Sequence, residues 1–189
     1  MHDPMSLPSI RAVPEDDGAA AHLPGLELPD LTFASTEGQP LNLRVLAARR
    51  LVLYVYPRTG VPGVEPPRGW DAIPGARGCT PQSCAFRDDY AEFASRDYRV
   101  AGLSAQTPEE QSEASARLGL PFPLLSDPER ELAAALMLPT FEIASMTLYK
   151  RLTLVAHDAK VIAVFYPVFP PEENATEVLA WIGGQELEA

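Results

Sequence analysis

Six consecutive apolar residues, Leu51-Val52-Leu53-Tyr54-Val55-Tyr56, end at Pro57. A run without alternation reads as a strand buried on both faces, because a half-exposed strand would place every second side chain in water. A sheet buried on both faces needs helices above and below it, and strands that alternate with helices before a terminal hairpin and helix make this an α/β fold with a mixed sheet and helices on both faces. A second run, Tyr98-Arg99-Val100-Ala101-Gly102-Leu103-Ser104-Ala105, reads the same way. Between them, Phe86, Tyr90 and Phe93 recur at i, i+4 and i+7 while Arg87, Asp88, Asp89, Glu92 and Arg96 fall on other faces. That spacing predicts an amphipathic helix of about four turns from Pro81 onward. The chain leaves the first strand at its C-terminal end, which is where α/β folds place their sites.

The connection, residues 58–78, carries Pro62, Gly63, Pro66, Pro67, Gly69, Pro74 and Gly75. It exceeds the ordinary two to six residues or so of such a loop, and reads as an insertion with Trp70 as its candidate anchor. Upstream, residues 1–23 contain scattered prolines and the run Glu15-Asp16-Asp17-Gly18, and predict an extended or disordered arm ahead of one domain, 24–189. Leu31-Thr32-Phe33 and Leu41-Asn42-Leu43 flank Glu37-Gly38-Gln39-Pro40 as a hairpin, with one helical turn after it over 45–50. Thr107-Pro108-Glu109-Glu110 is a capping box opening a helix that Gly119 closes. Residues 123–126 read as a short strand, and Asp127-Pro128-Glu129 as the start of a helix to about Leu136. Strands over 147–156 and 161–165 meet at His157-Asp158-Ala159-Lys160, and a last helix from Asn174 is stopped by Gly183-Gly184.

The chain's two cysteines, Cys79 and Cys84, fall at the start of the amphipathic helix. Thr80 can cap it and Pro81 suits its first position, so Cys79 sits at the helix mouth, where unpaired N–H groups and the helix dipole favour an anion. Residues i and i+5 of an α-helix stand roughly 8.6 Å apart at Cα and on different faces. A disulfide needs less than about 7 Å, so the two sulfurs can join only if the first turn unwinds. Two cysteines in a chain without secretory features suit thiol chemistry better than a structural staple.

These residues resemble the peroxiredoxins, specifically the bacterioferritin-comigratory or Q-type group, on the pattern Cys79, Thr80, Cys84, Phe86, Arg87 and Asp88. The resemblance covers roughly residues 23–182 and implies a thioredoxin-like fold. It implies a thiol-dependent peroxidase acting on hydrogen peroxide and organic hydroperoxides without a cofactor. Cys79 would be the peroxidatic and Cys84 the resolving cysteine, and the resulting disulfide would be reduced by a thioredoxin-type donor. Arg151, in Tyr149-Lys150-Arg151-Leu152-Thr153-Leu154, resembles the family arginine that points at the reactive sulfur; Arg58, Arg77 and Arg87 are alternatives close to the cysteine in sequence. The family pattern Pro-x-x-x-Thr-x-x-Cys is not kept, since Ala76 stands where the threonine would be. Pro57 and Thr59 are the candidates to fold back into those roles, with the backbone of Gly78 as a further donor. The expected assembly is a monomer or weak homodimer.

A net charge of −11 argues against nucleic-acid or membrane-surface binding. No apolar run approaches the roughly 18 residues of a membrane span and residues 1–23 lack the regions of a signal peptide, so the expected location is cytoplasmic. A disulfide reductase would carry cysteines two residues apart. A zinc site would need about four ligands, whereas Cys79, Cys84, His2, His22 and His157 are scattered. The remaining alternative is a thioredoxin-like binding or redox-sensing module that kept the fold and lost catalysis, which the missing threonine motivates.

Overall fold

The computed structural model describes residues 12–188. Seven strands form one sheet in the order β2-β1-β5-β4-β3-β8-β9. They are β1 (Thr32–Ser35), β2 (Leu41–Asn42), β3 (Arg50–Val55), β4 (Tyr98–Ser104), β5 (Leu124–Ser126), β8 (Leu152–His157) and β9 (Lys160–Phe165). Strands β3, β4 and β5 run parallel, while β1, β8 and β9 pair antiparallel with their neighbours, so the sheet is mixed as expected. Strands β6 (Thr140–Ile143) and β7 (Met146–Tyr149) make a separate hairpin.

Strand β3 lies inside the sheet between β4 and β8, and its side chains divide between two cores. Leu51, Leu53 and Val55 join one cluster; Val52, Tyr54 and Tyr56 join the other. Both faces are covered, which is the arrangement its unbroken apolar run required. Helices α1 (Leu43–Leu46) and α5 (Glu131–Leu136) supply Leu43, Leu46, Leu132 and Leu136 to the first core. The second core receives Phe86 from α2 (Cys79–Asp88) and Phe93 from α3 (Tyr90–Ser95). It also takes Ala114 from α4 (Pro108–Leu118) and Val178 and Ile182 from α6 (Asn174–Glu188). Helix α4 has the expected capping box, with Thr107 and Glu110 bonding each other's backbone, and ends at Gly119 in the left-handed conformation.

Several boundaries differ from the sequence reading, each for a local reason. The predicted strand over 147–156 is two strands, because β7 pairs with β6 whereas β8 leaves to pair with β3, and Lys150-Arg151 form the step between them. The four-turn helix is interrupted at Asp89, which ends α2 and begins α3. Helix α6 runs through Gly183-Gly184 to Glu188. Two glycines cost a helix about 2 kcal/mol relative to alanine, and the burial of Ala175, Val178, Leu179 and Ile182 along one face outweighs that. Helix α5 begins at Glu131, with the Asp127 carboxylate accepting from the N–H groups of Glu131 and Leu132 at 2.8 and 3.0 Å.

Residues 1–11 of the expected arm lie outside the described residues. Residues 12–23 are packed rather than loose: Ala20 and Leu23 are buried in the first core. The Asp17 carboxylate accepts from Lys150 Nζ at 2.7 Å and from the Tyr166 hydroxyl at 2.8 Å, and these bonds hold it well below the usual carboxylate range. Just beyond the arm, Gly25 and Leu26 exchange backbone hydrogen bonds with Val161 of β9 at 2.8 and 2.9 Å.

Gly102 in β4 is where the second core has least room. A Cβ there would stand 2.6 Å from Leu124 Cδ2 and 2.7 Å from Tyr54 Cζ. Gly102→Ala should therefore lower the stability of the chain by about 1–3 kcal/mol, read as a lower denaturant midpoint with an unchanged slope.

Candidate active site

Helix α2 begins at Cys79, two residues earlier than Pro81, with Gly78 as its N-cap. Gly78 has φ 102°, and a Cβ there would lie 2.7 Å from Pro171 Cγ, so both conformation and space demand glycine. Pro81 is then third in the helix, still among the N–H positions that have no intrahelical acceptor. Cys79 is 3% exposed, and it and the half-buried Cys84 are both free thiols on this intact helix.

Arg151 stands immediately before β8. That strand runs antiparallel to β3 with Leu152 opposite Val55, so Arg151 reaches the C-terminal end of β3, the end from which the loop to α2 departs. Its Nη2 lies 3.1 Å from Cys79 Sγ. The rest of the guanidinium is held by neutral oxygens. Nε donates to Gly75 O at 3.3 Å; Nη2 donates to Gly75 O, Ala76 O and Arg77 O at 3.1, 3.3 and 3.1 Å; Nη1 donates to Gln82 Oε1. Gln82 Nε2 donates in turn to Asn174 Oδ1 at 3.0 Å, which also accepts from Thr153 Oγ1 at 2.7 Å.

Arg151 is 3% exposed, and among the described residues no carboxylate pairs with it. A buried cation without a countercharge is costly, and apart from these neutral oxygens the group in contact with it is the Cys79 sulfur. Tyr54 and Tyr56 also face this region. Burial raises both phenols well above their ordinary range, so they stay neutral beside the cysteine.

A cleft of ≈ 360 Å³ opens onto the sulfur. Arg58, Val64, Pro66, Pro67 and Trp70 of the insertion line it together with Gly78, Cys79, Thr80 and Pro81. Trp70 is buried against Ala76, Ile143 and Leu148, so the insertion is anchored on the β6–β7 hairpin.

Of the residues singled out from sequence, Cys79, Arg151 and Gly78 come together. Thr59 does not join them: it is buried, its hydroxyl donates to Gln106 Oε1 at 3.2 Å, and it is not part of the cleft wall. The chain past Pro57 turns toward the loop after β4, where Gln106 also takes the Thr59 N–H at 2.9 Å. Pro57 is buried at the end of β3 and also stands outside the cleft wall. The hydroxyl that does line the cleft belongs to Thr80. The other arginines are paired with carboxylates: Arg58 and Arg77, which line the cleft, with Glu110 and Asp71, and Arg87 with Asp88. His22 Nε2 lies 2.8 Å from Leu136 O, His157 ends β8, and His2 lies outside the described residues. Gln82 and Asn174 escaped the sequence reading. Gln82 had a signal, a polar residue three positions after Cys79 and therefore on its face of the helix. Asn174 had none.

If Arg151 supports charge on the sulfur, Gln82→Glu should give the guanidinium a permanent countercharge and weaken that support. Measured in a Cys84→Ser background, iodoacetamide alkylation of Cys79 at pH 7 should slow by about tenfold. An unchanged rate would mean that Gln82 holds the arginine only mechanically.

The Redoxin family matches residues 23–179. Peroxiredoxin Q of the Sedum lineare chloroplast is 30% identical over 80% of this chain and 73% of its own length. Peroxiredoxin bcp1 of Schizosaccharomyces pombe is 35% identical over 56% of this chain and 47% of its own. Two Mycobacterium tuberculosis relatives, 34% identical, are likewise spanned over only 62% of their length. The crystal structure of peroxidoxin BcpB from Mycobacterium tuberculosis superposes with a TM-score of 0.70 at 27% identity, covering 86% of this chain and 98% of that one.

Proposed function

Because the chain belongs to the Redoxin family, among its peroxiredoxins of the Q and bacterioferritin-comigratory type, we propose that it is a thiol-dependent peroxidase for hydrogen peroxide and organic hydroperoxides. The observation that carries this reading is the 3.1 Å contact between Arg151 Nη2 and a buried Cys79 sulfur at the first position of a helix, facing a cleft.

In the first step the Cys79 thiolate attacks the distal oxygen of the peroxide. The O–O bond breaks, that oxygen stays on sulfur as the sulfenic acid, and the departing oxygen takes a proton and leaves as water or alcohol. Arg151 has donors in one plane and keeps its charge at any working pH, so it supports the thiolate before attack and the charge on the oxygens during it. Thr59 is held by Gln106, so in this reading its role passes to the N–H groups at the start of α2 and to Thr80, which lines the cleft.

In the second step the Cys84 thiol attacks the sulfenic sulfur, the S–O bond breaks, and one water leaves as the disulfide forms. The two residues occupy α2 five positions apart, so this step requires the first turns of the helix to open. An external dithiol of the thioredoxin type, in the cytoplasm, then takes the oxidation and restores both thiols. The working unit in this reading is a monomer or weak homodimer.

One equivalent of hydrogen peroxide should convert the wild type to a form lighter by two hydrogens, with Cys79 and Cys84 joined in the peptide map. Cys79→Ser should reduce no peroxide even stoichiometrically. Cys84→Ser should gain one oxygen, complete a single turnover and lose thioredoxin-driven recycling. Undiminished steady-state turnover of Cys84→Ser would remove Cys84 as the resolving residue. A wild-type reaction no faster than that of a free thiol would favour the binding or redox-sensing module instead.

A further inference from the structure

We propose that the insertion between β3 and α2 is a specificity device, in which Val64, Pro66 and Pro67 wall the cleft for the uncharged apolar body of an organic hydroperoxide. The proposal rests on the peroxidase reading and says which peroxide the site is shaped for.

The first observation is size. The cleft, at ≈ 360 Å³, falls within the roughly 300–1,000 Å³ of small-molecule sites. Hydrogen peroxide would leave most of it to solvent. An aryl or branched alkyl hydroperoxide of about ten heavy atoms would fill it.

The second observation is the chemistry of the wall. Val64, Pro66, Pro67, Trp70 and Ala76 are the apolar residues of its lining. Val64 is 65% exposed, an apolar side chain at the cleft edge that a bound apolar group would cover. The two cations on the cleft, Arg58 and Arg77, already have carboxylate partners in Glu110 and Asp71. The chain as a whole carries −11, so an ionised substrate finds little attraction here and a neutral one loses nothing.

The third observation is rigidity. Pro66 and Pro67 have restricted backbones, and three residues on Trp70 is buried against Ala76, Ile143 and Leu148, with its ring 6.2 Å from that of Phe141. The wall therefore stands at a set distance from Cys79 and costs little entropy to use. With the body against it, the hydroperoxide presents its distal oxygen to Sγ. That oxygen passes to sulfur as the O–O bond breaks, and the alkoxide takes a proton and leaves as the alcohol, so the wall touches a part of the molecule that does not change during the reaction. Binding substrate and transition state equally lowers KM and leaves kcat near its original value.

The test compares cumene hydroperoxide with hydrogen peroxide. Val64 is exposed, so Val64→Asp should fold normally. It should lose about tenfold more in kcat/KM for cumene hydroperoxide than for hydrogen peroxide, mainly through KM, while Val64→Leu retains the wild-type ratio. Equal loss with the two peroxides, or no loss with either, overturns the proposal. Binding of cumyl alcohol, the reduced product, followed by the Trp70 indole resonance, reads the cleft apart from turnover. A saturable shift in the wild type that Val64→Asp abolishes supports the wall even in a chain that reduces neither peroxide. The absence of any saturable shift in the wild type overturns it.

Discussion

The contact between Arg151 and Cys79 is the point on which the rest of the site converges. A guanidinium buried this deeply needs every donor occupied, and the fold meets that need from several directions. The carbonyls of Gly75, Ala76 and Arg77 turn inward from the end of the insertion, and Gln82 reaches back from the next turn of α2. All of these oxygens are neutral, so they fix the position of the charge without cancelling it. The sheet makes the meeting possible. Because β8 is antiparallel to β3, its first residues lie beside the end of β3 from which the chain sets out for the helix.

A second buried network supports the same end of the sheet. Tyr56 donates to Gln111 at 2.6 Å, Gln111 donates to Ser104 at 3.0 Å, and Gln106 holds Thr59. These bonds tie together the loops that follow β3 and β4, so the insertion departs from a rigid base. Its other anchor is Trp70 on the β6–β7 hairpin. A long Pro- and Gly-rich connection thus becomes part of the wall because both of its ends and its middle are fastened.

The central strands, the capped helix α4 and the cysteine helix were legible because each follows from local pattern: an unbroken apolar run, a Thr-Pro-x-Glu start, a 3.6-residue period. Cys79 and Arg151 were legible through family resemblance, and the geometry brings them within 3.1 Å. What local pattern could not supply was the path of the 58–78 connection. Thr59 faces Gln106, 47 residues away, and that preference depends on where β4 ends. Asn174 meets Gln82 across 92 residues for a similar reason. The break between β7 and β8 was hidden because both halves are apolar, and only their different partners separate them. The glycine pair near the C-terminus misled because burial along α6 outweighs the local preference of glycine.

The interruption at Asp89 bears on how far a disturbance of α2 can spread. Asp89 closes α2 by donating to Ala85 O at 3.0 Å, and its own carbonyl receives Glu92 and Phe93 at 3.0 and 3.3 Å. Helix α3 therefore owns its first hydrogen bonds and borrows none from the cysteine segment. Phe93 is wholly buried beyond the break, and Phe86, stacked 4.6 Å from Tyr54, lies between Cys84 and the break. The stretch that carries both thiols is thus bounded like a panel in its frame: an opening of its first turns would leave the hydrogen bonds beyond the break untouched.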